Sequence, residues 1–451
     1  ITWTKSTGAT GYKVYEGENL LDTLGDVATY DDTSAPAPTI TPGTASATDG
    51  GSTAHVALSL EGESANNGAS RTYKVVAFND AGDSPDSDTD TGYRGVGSLS
   101  YQWQRSSGDS DADYSNIAGA TTENCDDTEL PAPTITPGTA DASDGTSASH
   151  VTLTLSSETG NDGAGRYFQC ILNAEGAAEQ TSAPNRGYRG TDTLSRQWRY
   201  SEDGITYYDL VGATSTPWND TTAPAPTITG GTSAATDGTY TTKVVLSLSG
   251  EAANVGDTWY YLCKVSMLGA ATQDSSSDTG YKGVGSLNYQ WYYSTNDIDY
   301  NVLTGATSDP WDDTTAPKPT IDAGTASASD GTEPYHVVIS LSGHSVSNGD
   351  TWYYKCYLTT TGATPQYSTT NTGYKGTDTL GLQGQRSAAD SDADYSNITG
   401  ATSTPYNDTG GVHGPDGRYY QWEVNMTGAD TQTSTSDRGY KTKVTSPTVT
   451  S

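Results

Sequence analysis

Apolar residues in this chain alternate with polar ones over short runs. In HVALSL, Val56, Leu58 and Leu60 fall on one face while Ala57 and Ser59 fall on the other; in HVVISL the same face carries Val337, Ile339 and Leu341. A period of two over five or six residues marks a strand with one buried face. YQWQRS (101–106) and YYKCYL (353–358) alternate likewise, with Trp103 in one and Tyr354, Cys356 and Leu358 in the other facing inward. No stretch sustains the helical period of 3.6. Gly, Pro, Asn, Asp and Ser collect between the runs, so the predicted elements are many short strands joined by tight turns. The chain reads as all-β.

The runs repeat. PTI recurs with its isoleucine at Ile40, Ile135, Ile228 and Ile321, a period of about 93–95 residues, the signature of a repeat architecture. GY(R/K) recurs at Tyr93, Tyr188, Tyr281, Tyr374 and Tyr440, with a last interval of only about 66. Three kinds of segment alternate. One is PTITPGTASATDG…HVALSL, two strands around an Asp-Gly turn (Asp49-Gly50, Asp144-Gly145, Asp237-Gly238, Asp330-Gly331). The second is the YQWQRS strand, a polar hairpin and an ATS…W(N/D)DT strand. The third is a strand pair such as NGDTWYYKCYLTTTGATPQYSTTNTGYKG.

YQW followed later by DGRYYQ resembles the bacterial immunoglobulin-like domains of surface and fibre proteins. ITWTKSTGATGYKVYEG…ATYDDT…TYKVVAFNDAGDSPDS resembles a fibronectin type III domain. The resemblance spans essentially the whole chain and implies tandem β-sandwiches with strand order A-B, C-C′-E, F-G, and C beside F in one sheet. It also implies a tyrosine corner at Tyr73, Tyr261, Tyr354 and Tyr420; at the matching position Phe168 has no hydroxyl. The order departs from the family. Each A-B pair stands between the E strand and the F-G pair of the module before it. The balanced assignment is five interleaved sandwiches, each A-B pair starting the next domain before the current one is finished. The domains are then 1–95, fibronectin type III-like and interrupted by 35–67, followed by immunoglobulin-like domains over 35–190, 131–283, 223–376 and 316–442. Residues 443–451 remain as a strand for a next unit.

A missing tryptophan bears on this assignment. LSYQWQRS, LSRQWRYS and LNYQWYYS carry Trp103, Trp198 and Trp291, where LGLQGQRS has Gly384. Interleaving sets Val14 against Val75, Trp103 against Cys170, Trp198 against Cys263, Trp291 against Cys356 and Gly384 against Trp422. The large ring has crossed to the neighbouring strand, a volume-conserving exchange of the kind close-packed cores accept. The alternative, a permuted domain joining each F-G pair to the C strand that follows it, sets Cys356 against Gly384 and leaves a void.

Charge and chemistry narrow the function. A net charge of −33 opposes nucleic acid and anionic membranes as partners, and no apolar run approaches a membrane span. Four cysteines replace ordinary core residues, with a Cys125–Cys170 disulfide as the alternative reading. His55, His150 and His336 share the polar start of one strand, and His344 and His413 lie in loop-like sequence. Asp109, Asp111 and Asp113, like Asp390, Asp392 and Asp394, fit a hairpin tip or a calcium site. Asn219, Asn397, Asn407 and Asn425 stand in glycosylation sequons. No catalytic residue and no cofactor is read. The expectation is a structural subunit of an extracellular or cell-surface filament; the alternative is an adhesin or phage-tail module binding glycans or proteins. Ile1 and Trp3 form a B strand with a bare edge, while Pro447, Thr448, Val449 and Thr450 match the A strand Pro38-Thr39-Ile40-Thr41. Copies joined head to tail, or one longer chain, both follow.

Overall fold

The computed structural model describes residues 1–445, and among them all 43 regular elements are strands. Five five-stranded sheets recur, each built on one central antiparallel pair. Gly11–Glu16 pairs with Arg71–Asn79, Ser100–Ser106 with Arg166–Asn173, and Ser195–Ser201 with Trp259–Ser266. Asn288–Ser294 pairs with Trp352–Thr359, and Gly381–Ser387 with Arg418–Asn425. A recurrent Gln-Trp (Gln-Gly in the last repeat) helps close the hairpin that follows the first strand of four of these pairs. Gln102 Nε2 donates to the carbonyls of Trp103 and Ile117, and Gln197, Gln290 and Gln383 repeat this pattern.

The second layer shows how the chain is interleaved. Val56–Glu61 lies just before Arg71–Asn79 in sequence, yet it pairs with Cys125–Asp127, a strand that follows the second sheet's first strands. Ile40, Ala45, Val56, Leu58 and Leu60 pack with Trp103, Phe168, Cys170 and Leu172 in one core. Val244–Asn254 pairs forward with Trp311–Asp313, and Val337–Ser342 with Tyr406–Asp408, in the same way. The chain therefore steps ahead to start one sandwich and returns to finish the one before. The fold is a series of β-sandwich units whose strands connect across neighbouring repeats.

By compactness the chain forms two units. One comprises Ile1–Ala142, Leu153–Trp218 and Tyr260–Thr279; the other comprises Ser143–Thr152, Asn219–Trp259 and the chain from Gly280. Interleaved neighbours occur inside each.

In the last sheet Gly384 lies in register with Trp422, while Trp103, Trp198 and Trp291 lie opposite Cys170, Cys263 and Cys356, and Val14 opposite Val75. A methyl group added at Gly384 would stand 2.9 Å from Ala401 Cβ, 3.0 Å from Ile339 Cδ1 and 3.5 Å from the Trp422 ring. The indole has changed its anchor along with its strand. Trp103, Trp198 and Trp291 donate to Thr122, Ser215 and Ser308 in their own sheet's connection, whereas Trp422 donates to the Ser340 carbonyl.

The corner tyrosines reach a buried carboxylate. Tyr73, Tyr354 and Tyr420 donate to Asp32, Asp313 and Asp408 at 2.9, 2.9 and 3.1 Å. Each aspartate also accepts the backbone N–H two residues on, which fixes the turn beyond its strand. Where Phe168 lacks the hydroxyl, Arg105 Nη1 holds both Asp127 oxygens at 2.8 and 2.7 Å. A buried carboxylate needs a donor, and an arginine from the neighbouring strand supplies it.

Candidate functional site

In four of the five sandwiches a short strand lies between the two sheets' edges. Thr44–Ala47 pairs antiparallel with Val56–Glu61, and parallel bridges Thr44–Ala183 and Asp49–Tyr188 join the same segment to the closing strand of its own sandwich. Bridges Thr139–Ser276 and Asp144–Tyr281, Asp237–Tyr374, then Thr325–Thr435 and Asp330–Tyr440 repeat the arrangement. The inward side chains of this strand are small: Ala45, Ala47, Ala140, Ala142, Ser233, Ala326 and Ala328 are all buried. They have to be. A methyl group on Gly187 would stand 2.9 Å from Ala47 Cβ, on Gly373 2.8 Å from Ala235 Cβ, and on Gly439 2.7 Å from Ala328 Cβ.

In the other sandwiches the slot is filled by the segment just before the strand it pairs with, as Thr44–Ala47 precedes Val56–Glu61; in the first sandwich the described residues start inside that strand, so the walls of the slot are seen alone. Thr2 bridges Thr29, which places Ile1 and Trp3 where Leu58 and Leu60 stand in the second sandwich. An open groove of about 700 Å³ runs between residues 1–4 on one side and residues 87, 88 and 90–92 on the other, floored by residues 73–75. Gly92, the counterpart of Gly187, meets only the Tyr73 ring. Gly95, the counterpart of Gly190, has nothing within 4 Å, whereas a methyl on Gly190 would strike the Gly50 carbonyl at 2.2 Å. Tyr93 is 57% exposed, while Tyr188, Tyr281, Tyr374 and Tyr440 are half-buried. Trp3 Nε1, at the wall, is buried without an acceptor.

The groove is acidic and braced from behind. Lys74 Nζ bonds Glu18 at 2.7 Å and Asp86 at 2.9 Å, and these two bonds hold its pKa above the ordinary lysine value. Burial, then the bond to Asp32, pushes the Tyr73 hydroxyl up to about 12.

The residues singled out from sequence do not gather into one site. Ile1 and Trp3 line the groove. Val14 and Val75 lie in the first sheet, Val75 at the groove floor, and the remaining core pairs sit one in each further sandwich. Pro447, Thr448, Val449 and Thr450 lie outside the described residues. Sequence reasoning missed Asp88, Asp90, Gly92 and Tyr93. The recurrent (D/N)-x-G-Y around each GY(R/K) was the available signal. Thr39–Thr41 pairs with Ser64–Asn66, and the strand whose place is open here corresponds to Thr44–Ala47.

Other candidate chemistry is already engaged. Arg186 takes both oxygens of Asp109, and Arg438 both of Asp390, so these hairpin carboxylates sit below the ordinary carboxylate pKa chiefly through those bonds. Tyr114 and Tyr395 donate to Asp111 and Asp392. Among the described residues no three His, Cys, Asp or Glu side chains converge to hold a metal ion, and the four cysteines are free thiols. No helix there is long and apolar enough to cross a membrane. Against known proteins, no family model, no curated protein and no solved structure matches the chain.

Proposed function

We propose that this chain is the structural subunit of an extracellular filament or stalk, in which successive units join head to tail through a strand seated in the first sandwich. The interleaved strands carry this reading, because they tie each repeat to the next by more than one segment of chain. We take the domains to be the five overlapping spans read from the sequence, and residues 446–451 of one copy to be the strand offered to the next. Continuation into a longer polypeptide would use the same groove. Electron microscopy and light scattering of the full chain, and of a chain ending at residue 445, test the idea. Filaments or end-to-end oligomers that vanish on truncation are expected; assemblies of unchanged length would overturn the donated tail.

One observation favours a second role in glycan adhesion. On the fourth sandwich Tyr292, Tyr357 and Tyr367 cluster with ring centroids 4.8–6.3 Å apart, and Lys355 Nζ lies 3.6 Å from the Tyr300 centroid and 4.5 Å from that of Tyr367. Rigid tyrosines give contact area at low entropic cost. Glycan-array binding abolished by Tyr367→Ala would establish this role; an array with no hits would remove it.

A further inference from the structure

Sandwiches that share one core differ on the outer face of the five-stranded sheet. The second and fifth set Gln104 opposite Gln169 and Gln385 opposite Gln421, each pair closed by its own amide hydrogen bond at 2.8 Å. Further along the same face, Ile171 lies opposite Thr181 and Glu423 opposite Thr433. In the fourth sandwich the same places hold Tyr292 opposite Lys355 and Tyr357 opposite Tyr367. The buried pair behind them, Trp291 and Cys356, is the same as Trp103 and Cys170. Folding therefore does not require the aromatic face. We infer that this face binds a glycan bearing uronic acid residues, with the phenol rings against the C–H side of the sugar and Lys355 on its carboxylate. The inference rests on the adhesive role and names its ligand class.

The charge of the ligand follows from Lys355. Lys13, Lys74, Lys243 and Lys318 each meet a carboxylate at 2.6–2.9 Å. Among the described residues Lys355 meets none; its Nζ lies instead 3.6 Å from the Tyr300 ring centre and 4.5 Å from that of Tyr367. Tyr300 is itself fixed, its hydroxyl bonded to Asp297 and 3.2 Å from Thr370 Oγ1. The ammonium is thus half-buried, held in place by rings and without a counter-ion. The sugar follows from the rings. Tyr292, Tyr357 and Tyr367 meet at 46–79° rather than in parallel stacks, and Tyr367 is 48% exposed, so ring surface stays open. A pyranose presents polarised C–H groups on one side, which sit favourably on the negative face of an aromatic ring. Its carboxylate projects from the edge, so a uronate set against Tyr367 brings that group to Lys355 for a charge-assisted bond. The net charge of −33 opposes an anionic ligand. That field is screened beyond ~8 Å at physiological ionic strength, which leaves the local contact to decide.

The probes are hexamers of galacturonate, mannuronate and glucuronate, titrated calorimetrically into the full chain at physiological salt. EDTA is present, so that no cation bridges the acidic ligand to the acidic protein. Saturable binding of at least one hexamer, at one site per chain, is expected. Its methyl ester, which lacks the charge, should bind about fivefold more weakly. Lys355→Gln should weaken the acid to the level of the ester and leave the ester unchanged, whereas Tyr367→Thr should weaken both alike. These variants install residues that the second and fifth sandwiches carry at the same places, Gln169 and Gln421, Thr181 and Thr433. The ester comparison needs no variant at all. Refusal of all three uronates, equal binding of acid and ester, or a glutamate hexamer bound as tightly as the uronate would overturn the inference. Neutral glucose or galactose hexamers bound through Tyr367 while the uronates are refused would sink the acidic ligand and leave adhesion standing. Refusal of every glycan, acidic and neutral, would remove both.

Discussion

A single ring and the space it fills carry the residue-scale argument. Gly384 was legible as a gap in the sequence, and so was Trp422 as its filler, because volume is a property a sequence displays. The change of indole acceptor from a loop carbonyl to Ser340 was not, since it depends on which way the ring turns. Trp422→Ala should open a cavity and cost roughly 3–5 kcal/mol. Adding Gly384→Trp should recover part of it, because Ala401 and Ile339 frame position 384 as Ala120 and Leu58 frame Trp103; urea midpoints of the single and double variants check this. The buried thiols and phenols set a limit at high pH. Burial pushes Cys170 and Cys263 from 9.0 up to about 11 and Cys356 to about 12, and raises Tyr354 and Tyr420, the latter two also through their aspartates. Groups whose pKa is raised by folding stabilise fully below the unfolded value and lose that contribution as pH climbs through the folded one. Stability should therefore hold to about pH 9 and fall between about 9 and 12, each thiol contributing on the order of 2–3 kcal/mol by the upper end. Replacing Cys170, Cys263 and Cys356 with alanine should move the onset to higher pH, as read from urea midpoints against pH.

Between elements, the two most conspicuous sequence motifs prove to touch. Asp-Gly turns were legible because Gly50, Gly145, Gly238 and Gly331 adopt positive φ of 60–70°, which favours glycine. The GY(R/K) motif was legible as a repeat but had no assigned purpose. The two meet at each turn: Gly50 N donates to the Tyr188 carbonyl, Gly145 N to Tyr281, Gly238 N to Tyr374 and Gly331 N to Tyr440. The glycine after the cation then presses on the turn, with methyl-to-carbonyl distances of 2.2, 2.0 and 1.9 Å at Gly190, Gly283 and Gly376. Such long-range contact leaves no local period for a sequence to show, which is why the slot stayed hidden while the strands did not. Gly190→Ala sets a methyl against backbone that cannot rotate away, and overpacking of this kind costs about 1–3 kcal/mol. Gly95→Ala, at the open counterpart, should be close to neutral. Hydrogen exchange should show protection lost around residues 50–54 and 188–191 in the first variant alone; equal loss in both would contradict the packing argument.

At the level of the whole molecule, interleaving makes the stability of one sandwich depend on its neighbour. Residues 35–67 stand between two parts of the first sheet, and their strands are folded into the second sandwich. While that sandwich is intact, the insert is a fixed bridge whose ends are already close. When it opens, the same residues become a flexible loop that the first sandwich must close unaided. Loop closure costs about 0.6 kcal/mol per doubling of length, so a loop of some 30 residues in place of a bridge of a few weakens the first sandwich by about 2 kcal/mol. The effect arises in the unfolded chain, and a string of separate domains would lack it. Neighbours are also clasped directly: the hairpin-tip glycine Gly269 approaches Thr53, Gly362 approaches Ala148 and Gly428 approaches Thr241, with added methyls at 2.3–2.8 Å from a neighbouring atom. Trp103→Ala should test the coupling, because Trp103 is buried in the second core and is not among the residues of the first. Hydrogen exchange on that variant should show faster opening in the second sandwich and, by a factor of about ten to thirty, in Arg71–Asn79 of the first sheet as well. Loss confined to the second sandwich would mean that the interleaved connections carry no load between repeats. It would also remove the mechanical reason for a chain to step forward and back along its whole length.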